Sequence, residues 1–376
     1  GLKGVGKVEL TFDPAHRVRG LFGVNGVGKT KTLEAMYLAL LFSHGEVLNQ
    51  KRHHYIKGAE RAPAKAVYFD GQQFIGEFAS GGPVQLVGEA AIPSAIHSRP
   101  LVYIGAGERS SVAVSPATAG ILGGFAERRS RHIDRLIEEF ADGRLRSAGA
   151  AGDIRAWFVQ RAQSDNPFQM EKDNLRGEID AVLHLLSVVD HRIDPDKMQI
   201  DGAQHVFLSI DGRMVELGEL SSGFASIVKL FQAIIAGYSN FTNSKDLRNL
   251  PGVVLIDEIE SHLHVSWQTI IIKRLKELFP NTEFIVATHS PLVLTQLEQG
   301  EAYLLQRDAG DGVVRSSVID SPNMKAFADV LEATFGVDLN ALKRDALVAE
   351  DQTDAKQALL EFIQKRRARN ADGEAS

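Results

Sequence analysis

Cysteine is absent from the 376-residue chain, and long hydrophobic runs are lacking too. Without cysteine the chain has no disulfide and no thiolate zinc site, which fits a reducing cytoplasm. The longest apolar run, Leu38 to Phe42, is far shorter than the roughly 20 residues of a membrane-spanning helix. No signal-peptide pattern opens the sequence. We therefore expect a soluble, cytoplasmic protein without a membrane partner.

A strong excess of charge is also lacking, because the formal net charge is -6 and the isoelectric point is near 6.1. This balance argues against a general electrostatic attraction to nucleic acid, although a local basic patch can lie on an acidic protein. Apolar residues at 44% and charged residues at 24% are ordinary for a globular protein. The length allows one large α/β domain with an inserted subdomain, or two modest domains.

The beginning of the chain alternates strand and helix patterns. Residues 8–12 and 17–22 have strand periodicity, and the second run leads straight into a glycine-rich segment. Thr30 to Phe42 has apolar residues at helical spacing, so the predicted order is strand, glycine loop, helix. Shorter strand-like pieces, separated by Gly and Pro, follow at residues 66–69, 74–78 and 101–104.

The middle of the chain has a helical and charge-rich pattern over residues 117–191, with a Gly-, Ala- and Ser-rich bend at residues 143–152. We expect an inserted helical arm there. Asp211-Gly212 then separates two strand-like runs and suits the two-residue turn of a β-hairpin. Buried-strand and helix patterns alternate afterwards, as in a parallel sheet: helices are predicted at residues 226–238, 267–279 and 324–367, and strands at 253–256 and 283–287.

The glycine-rich segment from Gly23 to Thr30 fits the phosphate-binding pattern G-x-x-x-x-G-K-[ST] in the strand–loop–helix setting that it needs. Its glycines let backbone N–H groups close around phosphate oxygens at a helix N-terminus. We expect Lys29 to reach the β- and γ-phosphates and the Thr30 hydroxyl to bind Mg²⁺. The predicted nucleotide-binding residues of this loop are Asn25, Gly26, Val27, Gly28, Lys29 and Thr30.

Two adjacent carboxylates, Asp257 and Glu258, end the apolar strand at residues 253–256. Nucleotides bind at the carboxyl ends of such strands. We expect Asp257 to hold magnesium, directly or through water, and Glu258 to act as the base that polarises the attacking water. Solvated carboxylates at a strand end are the plain alternative, which the phosphate-binding loop disfavours.

Leu220-Ser221-Ser222-Gly223 precedes a predicted helix and lies ahead of the Asp257-Glu258 strand. Alone, such a segment is a helix cap. Together with the two motifs above it resembles the signature of ABC-class ATPases, and the loop around His289 is similar to their switch-histidine loop. The resemblance implies that Ser221 and Gly223 contact a γ-phosphate held by another subunit, and that His289 senses it. It therefore implies a head-to-tail homodimer around ATP.

The Asn25-Gly26-x-Gly-Lys-Thr form of the loop is similar to the SMC, RecF and OLD branch, which acts on DNA rather than in transport. The stretch from Asp257 to His264 resembles AAA-type, OLD-like ATPases of bacterial anti-phage systems such as Septu and PARIS. This implies that Ser261 to His264 form a D-loop across the dimer axis. His262 and His264 do not share a helix face, so a metal site there is disfavoured.

The resemblance departs at the Q-loop, where no glutamine is secure. The strand at residues 101–104 leads to Glu108 and Arg109 instead, while Gln72 and Gln73 stand earlier in a predicted hairpin. The fold expected is nevertheless an α/β P-loop NTPase of the ABC-ATPase type with an inserted helical arm. Its predicted parts are an N-terminal lobe (1–116), the arm (117–200), a C-terminal lobe (201–322) and a helical extension with a polar tail (323–376).

The leading functional hypothesis is an ATP- and Mg²⁺-dependent sensor or assembly ATPase of an anti-phage complex. It would control a separate effector encoded nearby, a nuclease, since no nuclease motif is visible in this chain. The alternative is a RecF- or SMC-like DNA-binding ATPase of DNA repair or maintenance, although long heptad arms are absent. A transporter subunit would show the Q-loop glutamine. DNA stays an open partner because of three basic stretches, at residues 51–54, 128–132 and 365–369, although such runs are usually solvated faces.

Overall fold

The computed structural model describes residues 5–49, 56–57, 67–69, 72–74, 83–84, 96–107, 109, 122–141, 144–145, 148–149 and 153–324, with the single positions 329, 332, 338 and 341. The chain divides into two compact units, Gly1–Met324 and Lys325–Ser376. Several predictions fall wholly or mostly outside the described residues: Glu108, the strand at 74–78, the bend at 143–152, the basic stretches at 51–54 and 365–369, and the helix at 324–367. The four-part division of the chain stays a prediction.

Strands and helices alternate through the described part of the first unit. The strands are β1 (Val8–Glu9), β2 (Val18–Phe22), β3 (Ile56–Lys57), β4 (Val67–Phe69), β5 (Gln72–Phe74), β6 (Pro83–Val84), β7 (Leu101–Ile104), β8 (Ile193–Ile200), β9 (Val206–Ile210), β10 (Arg213–Glu216), β11 (Val253–Ile256), β12 (Glu283–Ala287), β13 (Ala302–Arg307) and β14 (Val314–Val318). The helices are α1 (Lys29–Phe42), α2 (Gly45–Asn49), α3 (Phe125–Ala141), α4 (Ile154–Gln163), α5 (Arg176–Val189), α6 (Ser222–Phe241), α7 (Val265–Gln268), α8 (Ile271–Leu278) and α9 (Pro291–Leu294).

The main sheet has seven strands in the order β1-β14-β13-β2-β12-β11-β7. Neighbouring strands from β2 to β7 in this order are parallel, and all their residues are buried, as in sheets covered on both faces. Parallel strands place their carboxyl ends at one edge. The loops that follow β2, β11, β12 and β7 therefore meet there, and they carry the glycine-rich loop, the Asp257-Glu258 pair, His289 and Arg109.

Helix α1 is buried on nearly every side. Leu33, Met36, Tyr37 and Leu40 belong to one apolar cluster with side chains of β7, β11 and β12. This burial anchors the helix that follows the glycine-rich loop, so the loop sits on a rigid base. The prediction of strand, loop and helix over residues 17–42 is confirmed.

The helical pattern at residues 117–191 corresponds to α3, α4 and α5. These helices contact α6 and the three-stranded sheet β10-β9-β8 within the first unit. Buried ion pairs fix two of the contacts: Arg161 Nε lies 2.8 Å from Glu178, and Arg155 Nη2 lies 2.7 Å from Glu216. Whether these helices work as an arm stays a prediction.

The predicted hairpin is confirmed, because Asp211 (φ 52°) and Gly212 (φ 74°) form the turn between β9 and β10. Both positive φ values match the two-residue turn that Asp-Gly favours. Gln72 and Gln73 lie on β5, which pairs with β4 in a separate two-stranded sheet.

Two predicted elements differ from the structure. The first strand covers only Val8–Glu9, since the N–H groups of Thr11 and Asp13 donate to the side chains of Ser316 and Tyr303 instead of a strand ladder.

The helix predicted at residues 267–279 is broken into α7 and α8. Gln296 stabilises the break, because its side chain accepts from the N–H of Ile272 and donates to the carbonyl of Gln268. Among the described helices, none is long and apolar enough to cross a bilayer.

Candidate nucleotide site

The phosphate-binding loop runs from the end of β2 into α1. Gly26 (φ 80°) and Gly28 (φ 109°) have left-handed backbone conformations that favour glycine. A Cβ atom at Gly28 would lie 2.5 Å from the side chain of Val5, so no larger residue fits. Asn25 and Gly26 are exposed at the tip, whereas Val27 is buried beneath it. The loop thus presents its backbone outward on an apolar support.

Lys29 lies against this loop and is only 6% exposed. Its Nζ donates to the carbonyls of Gly23, at 2.7 Å, and Val24, at 3.3 Å. Burial lowers the pKa of Lys29 to about 8, against the opposing charge of Asp257 and neighbouring carboxylates. A phosphate would restore a full counter-charge to this ammonium group.

Thr30 and Asp257 are brought together at the edge of the sheet, since the Thr30 hydroxyl donates to Asp257 Oδ1 at 3.1 Å. Burial raises the pKa of Asp257 to about 6, and the charges of Glu258 and Glu34 act in the same direction. A divalent cation would relieve this confined negative charge. The hydroxyl and carboxylate oxygens are ligands that Mg²⁺ accepts, so both predicted metal ligands fit the ion.

Among the described residues, no group of three or more His, Asp or Glu side chains could hold a metal by itself. This matches Mg²⁺ at nucleotide sites, where one or two protein oxygens are completed by phosphates and water. His264 has a different role, because its Nδ1 accepts the N–H of Ser266 and caps α7.

Glu258, the predicted base, follows Asp257 directly and has a left-handed backbone with φ 44°. Such a conformation is rare for a residue with a side chain and concentrates at functional sites. The turn directs the chain away from β11 immediately after Asp257. Glu258 is half-buried, so its side chain is open to a water molecule.

Glu260 links the carboxylate loop to the histidine loop. Its Oε2 accepts from the Thr288 hydroxyl and its Oε1 from the N–H of His289, both at 2.6 Å. Burial lowers the pKa of His289, and the charge of Lys29 lowers it further, which places His289 near the phosphate-binding loop as a neutral imidazole at pH 7. Sequence reasoning missed the role of Glu260, although a third acid close behind Asp257-Glu258 was a visible signal.

Arg109 is buried next to the backbone of the Asp257-Glu258 pair. Its side chain is 1% exposed, and Nη2 donates to the carbonyls of Asp257, at 3.0 Å, and Glu258. The sequence identified Arg109 only as a residue standing where a Q-loop glutamine was expected. The structure shows a buried cation that holds the backbone of the predicted metal ligand Asp257 and of the predicted base Glu258.

The signature segment lies at the N-terminus of α6. Ser221 is exposed and caps the helix by accepting the N–H of Phe224 at 3.3 Å. Gly223 is buried, and a Cβ atom there would lie 3.1 Å from the carbonyl of His262 and 3.3 Å from the N–H of His264. The signature helix therefore packs closely on the predicted D-loop. Among the described residues, no hydrogen bond joins Ser221 or Gly223 to the phosphate-binding loop of the same chain.

Parallel strands that end in a P-loop, an acidic pair and a histidine loop form the predicted α/β P-loop NTPase fold. The site contains Lys29, Thr30, Asp257, Glu258 and His289. No described hydrogen bond joins the signature segment to the phosphate-binding loop of this site.

The chain is similar to known proteins of bacteria. It is 28% identical over 328 residues to Septu protein PtuA of Bacillus mycoides (strain KBAB4), and the alignment covers 85% of this chain and 41% of that protein. It is 24% identical over 363 residues to Septu protein PtuA of Bacillus thuringiensis, covering 90% and 83% of the two chains. The chain thus spans less than half the length of the first relative. Among solved structures, the SMC head domain from Thermotoga maritima is similar with a TM-score of 0.42 at 14% identity, over 85% of this chain and 96% of that one.

The profile of a protein family, described as "AAA domain, putative AbiEii toxin, Type IV TA system", matches residues 19–295. The matched region contains every predicted catalytic and nucleotide-binding residue. Since the match covers more than half of the chain, the chain belongs to this AAA-domain family.

Proposed function

We propose that two copies of this chain bind ATP head to tail, with magnesium, and hydrolyse it at two composite sites. The cycle controls a separate effector protein in an anti-phage defence complex. The defence role rests on the similarity to the Septu proteins named PtuA. The proposal concerns the whole assembly, of which this chain is the ATPase subunit.

The observation that supports the proposal is that no described hydrogen bond joins the signature segment to the phosphate-binding loop of the same chain. The phosphate-binding loop and the acidic pair are joined through Thr30 and Asp257, whereas Ser221 is exposed and makes no described hydrogen bond to that loop. The free N–H groups of a helix N-terminus bind anions. A second copy would supply its Ser221 and Gly223 to the γ-phosphate held by the first.

The residues divide the chemistry between binding and activation. Lys29 and the loop N–H groups bind the β- and γ-phosphates. Thr30 and Asp257 would hold Mg²⁺, which would supply positive charge next to the phosphates. Glu258 accepts a proton from the attacking water. His289, neutral and oriented through the bond between its N–H and Glu260, donates from its ring to the γ-phosphate. Arg109 fixes the backbone of the two carboxylates.

The test is the mass of the Glu258→Gln protein in solution with and without ATP. This substitution removes the base and keeps Asp257 as the metal ligand, so ATP stays bound and unhydrolysed. Light scattering is expected to show a mass that doubles with ATP. A mass that does not respond to ATP would contradict a nucleotide-driven dimer.

Two second substitutions in the Glu258→Gln protein serve as controls. Lys29→Ala removes the charge that binds the phosphates, and nucleotide binding and the dimer should both be lost. Ser221→Arg should abolish the dimer but keep ATP bound to the single chain, because Ser221 lies outside the site of its own chain. Loss of ATP binding with Ser221→Arg would place the signature in that site and contradict the composite arrangement.

The effector is proposed to dock on the segment between α4 and α5. Phe168 is 96% exposed and Met170 is 66% exposed there, and contiguous exposed apolar patches mark protein–protein interaction sites. The partner expected is the product of an adjacent gene. We expect the double substitution Phe168→Ser and Met170→Ser to reduce its co-purification with this chain while ATP binding is kept.

Val318→Ser is the matched control for this experiment, since Val318 is 50% exposed at the end of strand β14. Equal recovery of the partner by the double variant and by Val318→Ser would reject the segment as the docking site. The composite ATP site would be unaffected by that outcome, because it is tested by the mass measurement alone.

A further inference from the structure

A cavity of about 430 Å³ lies between α3, α4 and α6 and shares no lining residue with the nucleotide site. Ligand pockets commonly have volumes of roughly 300–1,000 Å³. The described residues that line this cavity include four arginines, Arg128, Arg131, Arg135 and Arg161, but only one carboxylate, Asp153. The cavity is therefore strongly basic in a protein whose net charge is negative.

The helical spacing of α3 creates this basic wall. Arg128, His132 and Arg135 are four and three residues apart, so they share one face of the helix. Arg128 and His132 are buried and form the floor, whereas Arg131 and Arg135 are exposed at the rim. The arrangement offers charge at the entrance and hydrogen-bond donors inside.

Several donors on the floor lack an acceptor. Arg128 is 5% exposed, Trp157 is 7% exposed, and neither Arg128 Nε and Nη2 nor Trp157 Nε1 has a hydrogen-bond partner. His132 Nδ1 accepts from Arg135 at 3.1 Å, so its proton is on Nε2, which also has no partner. A buried donor without an acceptor destabilises the folded protein. Four unpaired donor atoms in one cavity therefore indicate an acceptor-rich occupant.

The carboxylates close to the cavity already have partners within the protein. Glu178 pairs with Arg161 at 2.8 Å, and Asp153 accepts the N–H of Arg155 at the start of α4. Arg128 Nη1 lies 4.0 Å from a carboxylate oxygen of Asp173. Burial lowers the pKa of Arg128, against the opposing charges of Glu178 and Asp173. An anion in the cavity would stabilise this buried cation further.

We propose that this cavity binds a small phosphorylated molecule of the size of a nucleoside phosphate or sugar phosphate. A phosphate group has three terminal oxygens, each of which accepts several hydrogen bonds, and guanidinium groups match it in geometry and charge. The remaining volume accommodates the organic part, next to the side-chain amides of Gln232 and Asn240 on α6.

A small ligand agrees better with the geometry than a nucleic acid does. The basic stretch at residues 128–132 was a candidate for DNA contact, but Arg128 is buried and Arg129 pairs with Glu46 at 2.9 Å. These two side chains do not form an open surface that could follow a phosphate backbone. Arg128, Arg131 and His132 of this stretch line the cavity instead.

The experiment is calorimetric titration of the Lys29→Ala protein, in which the phosphate-binding loop is disabled, with AMP, ribose 5-phosphate and uncharged ribose. Binding of AMP or ribose 5-phosphate, without binding of ribose, is expected. The affinity should fall at least about tenfold when Arg128→Gln is added, because its unpaired donors are removed. Arg135→Gln should also weaken binding, and it changes a side chain that is exposed at the rim. Arg213→Gln on the exposed strand β10 is the matched control.

Three results would overturn the site. The first is that neither phosphorylated probe binds at about 1 mM, near the weakest affinity such a titration detects. The second is equal affinity of the Arg135→Gln and Arg213→Gln proteins for the phosphorylated probes. This comparison does not need Arg128→Gln, so the proposal can still be rejected if that variant fails to fold. The third is that a single-stranded oligonucleotide binds through Arg135 while both small probes do not. Since the Lys29→Ala protein is used, none of these results depends on the proposed ATP cycle.

Discussion

Single residues at the carboxylate edge have roles that their motifs do not reveal. Arg109 and Glu260 touch backbone or side-chain atoms of Asp257, Glu258, Thr288 and His289. Neither side chain is among the residues proposed to contact the nucleotide. Both hold other groups of the site in place, so we regard them as positioning residues.

Replacing Arg109 should separate ATP binding from hydrolysis. Arg109→Met removes the donors to the carbonyls of Asp257 and Glu258, so the two carboxylates lose their alignment. We expect kcat to fall at least about tenfold, while ATP affinity changes little because Lys29 and Thr30 are intact. Leaving the two carbonyls unpaired should also lower the free energy of unfolding, by about 1–3 kcal/mol for each.

The comparison for Arg109→Met is Arg213→Met on the exposed strand β10, which should change neither quantity. Steady-state hydrolysis and ATP binding in a Glu258→Gln background are the two measurements. Unchanged kcat in a folded Arg109→Met protein would show that the contact with the carboxylate backbone is unimportant for hydrolysis.

At the scale of elements, a histidine cluster joins the end of α1, the strand entering β7, α3 and α6. His44 packs against His97 and Phe241, with ring centroids 5.0 and 4.6 Å apart, and His132 packs against Phe241 at 5.3 Å. Burial lowers the pKa of His44 and of His132 to about 3, and neighbouring His97 and Arg135, respectively, act in the same direction. Both rings are therefore neutral in the folded protein at neutral pH.

This cluster predicts loss of stability in acid. The unfolded chain takes up protons on these rings below about pH 6.5, whereas the folded chain resists them down to about pH 3. Stability is fully present above pH 6.5 and falls between pH 6.5 and 3, by up to about 1.4 kcal/mol per pH unit for each histidine. The free energy of unfolding, measured with urea across this pH range, should change less with pH in the His44→Gln protein than in the wild type. His191→Gln, at an exposed histidine, should keep the wild-type slope; an equal slope in His44→Gln would contradict the prediction.

At the scale of the whole molecule, a head-to-tail dimer predicts complementation between two inactive chains. A Lys29→Ala chain keeps its signature, and a Ser221→Arg chain keeps its phosphate-binding loop. A mixed dimer therefore contains one intact composite site and one that is doubly broken. Equal mixing gives mixed dimers for about half of the population, so about a quarter of the wild-type ATPase activity should return.

The measurement is hydrolysis by each inactive protein alone and by their mixture. Mixing Lys29→Ala with the double variant Lys29→Ala, Ser221→Arg is the control, since no intact site can form. If the first mixture hydrolyses ATP no faster than the sum of its parts, the composite site is wrong.

The sequence alone determined the elements whose patterns are local. Gly26, Gly28, Lys29 and Thr30 specify a strand–loop–helix because glycine conformations and helical spacing depend on near neighbours. The Asp211-Gly212 turn and the buried strand before Asp257 were likewise readable from short segments. The family resemblance added the order of the motifs, which the match over residues 19–295 supports.

Only the tertiary structure decided which distant groups meet. Arg109 reaches the carbonyls of residues 257 and 258, and Glu260 reaches the histidine loop, because parallel strands bring their carboxyl ends together across large separations in sequence. The split between α7 and α8 depends on Gln296, which follows it by more than twenty residues. The basic cavity likewise requires three helices to pack. Such contacts arise from packing across the fold, which no local pattern of residues encodes.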